Sequence, residues 1–236
     1  MRLDFSSERV LAVVAHPDDA ELLCAGTLAR ARSEGAAIAV CVLCRGNGGQ
    51  PAKPIRNLAA IRRREMQAAA RILGARPFFG IAPDGTLADA AVQRRLLVEI
   101  FRQFGPTLVL GHSPRDYHPD HRAASALVEA ASWYCASRGF RTRSAPIPVA
   151  PAIWWMDTIA MMGFEPGFFV DISPFVSTKQ KMLACHKSQL AQATDRDFSP
   201  LAELMRKQYE ARGLQADVAA AEAFVAHGAF KRARAW

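Results

Sequence analysis

Four short apolar runs, each followed by a segment of helical periodicity, constrain the fold of this chain more than any other feature. Residues 9–15 (RVLAVVA) and 37–44 (AIAVCVLC) are unbroken apolar stretches, as expected of strands buried on both faces. Residues 77–81 form a third, weaker strand and residues 107–111 (TLVLG) a fourth. Residues 18–34 place Leu22, Leu23, Gly26, Leu28 and Ala29 within reach of one helix face, and Gly35 sits where a helix-ending glycine belongs. Residues 58–73 read as a helix stopped by Gly74, residues 90–104 as one ended by Gly105-Pro106, and residues 119–138 as a fourth. Strand–helix alternation of this kind predicts a mostly parallel sheet with helices on both faces, a Rossmann-like α/β fold.

From about residue 144 the alternation stops. A proline-bearing stretch leads to short apolar pieces at 152–156 and 168–172, and then to helical patterns at 175–193, 201–212 and 216–227. With no internal repeat or low-complexity linker, one domain over 1–236 is expected, a core of about 9–143 carrying a C-terminal helical extension of about 144–236. Half of the 236 residues are hydrophobic and 22% are charged, which excludes a disordered chain.

Charge and cysteine content narrow the setting. The net charge is +8, a balance open to nucleic acid, anionic lipid or an acidic substrate. The basic residues are scattered, from Arg62-Arg63-Arg64 to Lys231, Arg232 and Arg234, without interleaved aromatics. Solvated helix faces are therefore expected, and no nucleic-acid partner. Five cysteines are an odd number for a disulfide scaffold. Cys41 and Cys44 lie three apart in a strand, on opposite faces, and read as core. The first ten residues hold no apolar segment of the signal-peptide type, and no uncharged apolar run reaches about 18 residues. A cytoplasmic protein without a membrane span is the expectation.

The chemistry gathers in two polar clusters. His16-Pro17-Asp18-Asp19 follows the first strand, and Asp116-Tyr117-His118-Pro119-Asp120-His121 follows the fourth. In a doubly wound sheet of order 3-2-1-4-5, strands one and four are neighbours, and the crevice at their carboxyl ends is where ligands bind. The clusters should face each other there. Imidazole nitrogen and carboxylate oxygen bind Zn²⁺ at about 2.0–2.2 Å, and a catalytic zinc keeps one position open to water. His16 and Asp19, three apart at a helix start, can point at one ion, with His121 as the third ligand. Asp18 is then beside the ion and not on it, free to take a proton from water. His118 is free to act as a general acid or to stabilise an oxyanion, and Asp120 can orient one of the imidazoles. Asp and Pro at helix starts also serve as ordinary caps. Capping does not account for histidines on both sides of the crevice.

These residues carry a family resemblance. Ala15-His16-Pro17-Asp18-Asp19, with Glu21 and Gly26-Thr27-Leu28 behind it, and His118-Pro119-Asp120-His121-Arg122-Ala123-Ala124 resemble the two main motifs of the PIG-L/LmbE family of zinc-dependent N-deacetylases. Smaller matches are Arg45-Gly46, Arg62 with Glu65, Pro83-Asp84-Gly85, Val170-Asp171-Ile172 and Lys187-Ser188-Gln189. The spacing most resembles the bacillithiol-pathway branch. The resemblance implies removal of an acetyl group from an N-acetylglucosamine-type sugar, with His16, Asp19 and His121 as metal ligands and Asp18 as general base. It gives His118 the acid or oxyanion-stabilising role, with Asp120 behind it. Zn²⁺ is the expected metal, with Fe²⁺ or Co²⁺ able to use the same donors.

Arg45 and Arg62 are expected to bind an anionic group of the substrate through their planar forks, the alternative for Arg62 being a helix-surface pair with Glu65. Asn47 stands where that branch often has an acidic residue, the loop 48–57 looks longer, and 152–169 is rich in Trp and Met. These departures fall where substrate recognition would lie. The Trp and Met residues are expected in the core, with an oligomer contact as the next reading. His112 is expected to satisfy a loop carbonyl, and His186 either to approach the site or to cap a helix. Rival functions are another amide hydrolase on the same site, a non-catalytic binding protein of the same fold, and a nucleic-acid-binding protein suggested by charge alone.

Overall fold

A computed structural model of the chain describes residues 4–191 and 200–229. Its centre is a seven-stranded sheet of order β3-β2-β1-β4-β5-β7-β6. The strands are β1 (Arg9–Val14), β2 (Ala37–Cys44), β3 (Arg76–Ala82), β4 (Leu108–Gly111), β5 (Ala152–Met156), β6 (Phe168–Asp171) and β7 (Ala221–Ala226). Strands β1 to β5 pair in parallel, and β7 runs antiparallel to both β5 and β6. The helices are α1 (Asp19–Leu23), α2 (Ala25–Ser33), α3 (Leu58–Leu73), α4 (Ala91–Phe104), α5 (Pro119–Tyr134), α6 (Val176–Leu183), α7 (Lys187–Leu190) and α8 (Leu201–Gln215). None is long and apolar enough to cross a membrane among the described residues.

The buried apolar residues form two clusters, one on each face of the sheet. Val10, Ala12 and Val14 of β1 face one cluster, and Leu11 and Val13 face the other. Alternate residues of a strand point to opposite faces, so a strand covered on both sides must be apolar throughout. That is why β1 and β2 were legible as continuous runs. Strands one and four are neighbours as expected, with Val13 opposite Gly111.

The C-terminal segment differs from the helical extension expected. It supplies β5, β6 and β7 to the same sheet, and residues 221–226 are a strand where a helix over 216–227 was predicted. The segment AEAFVA has helix-forming residues, but sheet pairing overrides propensity. Phe224 packs on Trp154 and Phe168, with ring centroids 5.6 and 5.8 Å away. Trp154, Trp155 and Met156 of β5 are buried, as the core reading of the Trp/Met stretch required, whereas Met162 is exposed. The predicted helix 175–193 is two helices, α6 and α7, and its last two residues lie outside the described residues, as do Lys231, Arg232 and Arg234.

The predicted helix 18–34 is also two helices, broken at Cys24. The buried Glu222 of β7 explains the break. Its carboxylate accepts from the Gly26 and Thr27 N–H groups at 2.9 and 2.7 Å, capping α2 from a distant part of the chain. The same carboxylate pairs with buried Lys179 at 2.6 Å. A β-carbon on Gly26 would lie 2.7 Å from the Ile172 side chain, so this helix start admits only glycine. Helix α5 ends at Tyr134, short of the predicted 138. Beyond it the Arg102 guanidinium gathers the carbonyls of Tyr134, Cys135, Ser137 and Phe140.

Candidate active site

The two polar clusters meet at the carboxyl ends of β1 and β4. They line a cleft of about 520 Å³ together with Arg62, Asp84, Tyr117, Gln189 and the apolar Leu22, Ile159 and Leu201. Parallel pairing of β1 with β4 places their carboxyl ends side by side, so the first residues after each strand share one crevice.

Asp19 is the centre of the cluster. Its Oδ2 lies 3.4 Å from His16 Nδ1, 3.4 Å from His121 Nε2 and 3.3 Å from His112 Nε2. It also accepts the His16 backbone N–H at 2.8 Å. The far nitrogens of two of these rings face carboxylates. Asp120 Oδ2 is 3.0 Å from His16 Nε2, and Asp116 Oδ1 is 3.1 Å from His121 Nδ1. A carboxylate behind an imidazole fixes its tautomer and raises its basicity as a ligand.

The donor set fits a divalent cation. Ligand atoms of Asp19, His112 and His121 lie within 4.8 Å of one another, as do those of His16, His118 and His121. Burial pulls the His16 and His121 rings down, but the carboxylates outweigh it and push them up to about 10 and about 9. Asp19 is held well below the usual carboxylate range against its burial, by the His121 charge and by hydrogen bonds from His121 and His16. Ionised oxygen beside basic imidazoles is the state from which a cation displaces protons. Burial and the His121 charge take His112 down to about 4. It accepts the Ala15 N–H at 3.0 Å, so it satisfies a backbone donor and not the loop carbonyl expected.

Asp18 stands apart from these imidazoles. Its φ of 107° lies in the left-handed region, which a residue with a β-carbon enters only under strain. The strain turns its carboxylate toward Arg62, whose Nη2 is 3.1 Å from Asp18 Oδ1. Burial raises the Asp18 carboxyl, while the Arg62 charge opposes that rise.

Arg62 itself is buried. It also donates to the carbonyls of Pro17 and Gly46. A β-carbon on Gly46 would lie 2.9 Å from the Arg62 side chain, and its φ is +73°, so glycine is needed for this approach. The fork expected to bind substrate is thus largely spent on the protein. The alternative pair with Glu65 is absent too, since Glu65 accepts from Ser188 N and Oγ at 2.8 and 2.7 Å. Arg45 lies outside the cleft. It is exposed and lines a neighbouring cavity with Arg63, Phe79 and Ile81.

His118 caps α5, and its Nδ1 accepts the Asp120 N–H at 3.1 Å. The neutral ring therefore carries its proton on Nε2. Burial and then the positive His121 and His16 rings hold His118 below its ordinary value. Asp120 was expected behind His118, but its carboxylate serves His16, Gly85 N at 2.7 Å and Leu87 N at 3.3 Å. Backbone folding decides this: the helix start turns the Asp120 side chain back toward β1 and leaves only its N–H for His118.

Asp116 and Asp84 also shape the site. Asp84 accepts from Gly46 N and Gly48 N at 2.8 and 2.7 Å and donates its own N–H to Asn47 Oδ1. The loop after β2 is thereby moored, and Asn47 serves as a loop brace. Gln189, also buried, donates to Gly49 O at 3.3 Å. His186, which was open between approaching the site and capping a helix, is buried beside Glu21, with Nε2 3.3 Å from Oε2. Asp116 and His112 could have been suspected because both follow β4 at the switch point.

The chain is similar to known proteins over much of its length. The profile of the family described as "PIG-L: GlcNAc-PI de-N-acetylase" matches residues 11–132. The diacetylchitobiose deacetylase of Thermococcus kodakarensis is 28% identical over 193 residues, covering 77% of this chain and 70% of its own. The 4-oxalmesaconate hydratase of Pseudomonas putida is 30% identical over 190 residues, 76% of this chain and 73% of its own. Among solved structures, the conserved protein TT1542 from Thermus thermophilus superposes with a TM-score of 0.79 and is 32% identical. That match covers 97% of this chain and all of that one.

Proposed function

This chain belongs to the PIG-L (GlcNAc-PI de-N-acetylase) family, and on that premise we propose that it is a metal-dependent N-deacetylase. It removes the acetyl group from an N-acetylglucosamine-type conjugate, releasing acetate and a free amino sugar. The observation that carries this reading is the division of labour between adjacent carboxylates. Asp19 is drawn into the imidazole cluster, while Asp18 is turned away by a strained backbone and held by Arg62.

In this reading His16, Asp19 and His121 hold a zinc ion, or Fe²⁺ or Co²⁺ in its place. Such an ion supplies Lewis acidity toward an acetamide oxygen and lowers the pKa of water to about 7. Asp18 takes the proton of the attacking water and passes it to the leaving nitrogen. His118, with its proton on Nε2, donates to the oxygen that gains charge as the amide carbon becomes tetrahedral. Arg62 positions Asp18, and Asp120 and Asp116 position His16 and His121. Arg62 Nε has no hydrogen-bond partner in the structure but is itself buried, so no direct substrate contact is assigned to Arg62. Arg45 drops out of the substrate-binding set on position.

A neutral sugar suits the cleft better than an anion. Among the described residues Asp18, Asp19, Asp84 and Asp120 line it, and the one lining guanidinium, Arg62, already serves Asp18. An anionic substrate such as that of the hydratase relative would need a free cation there. A cytoplasmic setting, an acetylated small-molecule partner and no nucleic-acid partner belong to the same reading, which suits five cysteines that are all free thiols. Assaying the zinc-loaded protein against a panel of N-acetylglucosamine conjugates, and against unsaturated carboxylic acids, tests it. Free amine and acetate from a sugar are expected. Water addition to a carbon–carbon double bond, with every conjugate intact, would overturn it.

A further inference from the structure

Cys44 was expected to be core, and by burial it is. Yet as the last residue of β2 it donates its N–H to Ala15 O at 2.8 Å, which places it beside the residue before His16. Its Sγ lies within 4.8 Å of ligand atoms of both His16 and Asp120, and those two lie as close to each other. His16 presents Nδ1 to Asp19 and Nε2 to Asp120, 3.0 Å away. One imidazole thus separates two groups of donors. On one side is the Asp19 cluster already described, and on the other is Asp120, with Cys44 close to both Asp120 and the ring.

We propose that Cys44, Asp120 and the Nε2 of His16 form a second, inhibitory site for a thiophilic divalent cation. The reading rests on the first metal being held by His16, Asp19 and His121. Two observations support it. The donors are soft sulfur, imidazole nitrogen and carboxylate oxygen, a set that selects Zn²⁺ or Cd²⁺ over Mg²⁺ or Ca²⁺. Among the described residues the cleft and the layer behind it carry five carboxylates, of Asp18, Asp19, Asp84, Asp116 and Asp120, against the one guanidinium of Arg62, so one divalent ion does not exhaust its negative charge.

Binding there displaces two protons, one from the Cys44 thiol and one from His16 Nε2, and leaves the ring bridging the two ions. It also takes Asp120 away from its task of orienting His16. Losing such a partner costs a metal site about 10–100-fold in affinity or activity. The chain is thereby activated by one equivalent of metal and inhibited by a second, provided that the second ion is thiophilic.

The test is a Co²⁺ titration of the chelator-stripped full chain, followed by its absorption spectrum. The first equivalent should bind without a thiolate-to-cobalt charge-transfer band, and the second should bring that band in. Cys44→Ser and Cys44→Ala should each keep the first equivalent and lose the band. In parallel, excess Cd²⁺ should lower acetate release by the zinc-loaded protein about 10-fold and leave Cys44→Ser unaffected. A chain that binds one equivalent and never shows the band overturns this site while leaving the deacetylase reading intact. A band or Cd²⁺ inhibition that persists in Cys44→Ser overturns it as well, because the sulfur would then be another cysteine. A chain that binds no cobalt overturns both readings.

Discussion

Arg62 and Asp18, 44 residues apart, form a buried ion pair of 3.1 Å, and the same guanidinium holds the Pro17 and Gly46 carbonyls. One side chain from α3 therefore ties the loop after β1 that carries Asp18 to the loop after β2. Replacing it with methionine keeps the apolar stem and removes the fork. Arg62→Met should lower kcat about 100-fold, in the range that a positioned acid–base group contributes, with KM and bound zinc little changed. Steady-state kinetics and metal analysis check this. A rise in KM at constant kcat would instead mark Arg62 as a substrate-binding group.

Asp120 and Asp116 predict a different phenotype. Each faces the far nitrogen of an imidazole, His16 Nε2 at 3.0 Å and His121 Nδ1 at 3.1 Å. Asp120→Ala and Asp116→Ala should each weaken zinc binding about 10–100-fold, measured by competition with a chromogenic chelator. Activity should return largely at high zinc. If Asp120 acted through His118 instead, affinity would hold and only turnover would fall.

The parallel half of this fold is written plainly in the chain, because a strand covered on both faces has to be apolar at every position, as Val10 to Val14 are. The convergence of His16, Asp18, Asp19, His118 and His121 followed from the same alternation, since element order alone makes β1 and β4 neighbours. What escaped is set by contacts distant in sequence. Residues 221–226 carry helix-forming alanines, and only pairing with β5 and β6 makes them a strand. Glu222 is an ordinary acidic residue until the fold brings it to the Gly26 and Thr27 N–H groups. Arg62 read as a surface or substrate residue because its partner, Asp18, lies across a loop. The assignment of Asp120 turned on whether its side chain or its backbone faces His118, which spacing cannot decide.

Glu222 predicts a stability effect remote from the chemistry. Its carboxylate caps α2 and pairs with Lys179, both residues being buried. Glu222→Gln should destabilise the fold by about 3–5 kcal/mol, because it strands a buried ammonium. Urea unfolding followed by circular dichroism measures this. Adding Lys179→Met should recover part of the loss, since the stranded charge is then gone.

Glu99 predicts the pH dependence of that stability. Burial raises its carboxyl, but the Ser144 N–H and hydroxyl, Gln103 and Thr142 outweigh this and hold it down at about 2, against an ordinary 4.5. A carboxyl depressed on folding stabilises the folded state above its unfolded pKa, and that stabilisation is lost as pH falls through the folded value. The wild-type chain should therefore exceed Glu99→Gln in stability at pH 7 and converge on it between about pH 4.5 and about pH 2. Melting temperatures of the two chains across that window are the check. A constant difference down to the lower end of that window would contradict it.

The most direct test of the account compares Asp18→Asn with His121→Ala, measuring bound zinc and single-turnover acetate release on the same samples. The proposed mechanism puts Asp18 beside the ion and not on it, and His121 on it. Asp18→Asn should retain one zinc per chain and lose about 100-fold or more in the chemical step, whereas His121→Ala should lose zinc and turnover together. An Asp18→Asn chain that releases acetate at the wild-type rate, or that has shed its zinc, would contradict the assignment of Asp18 as the base.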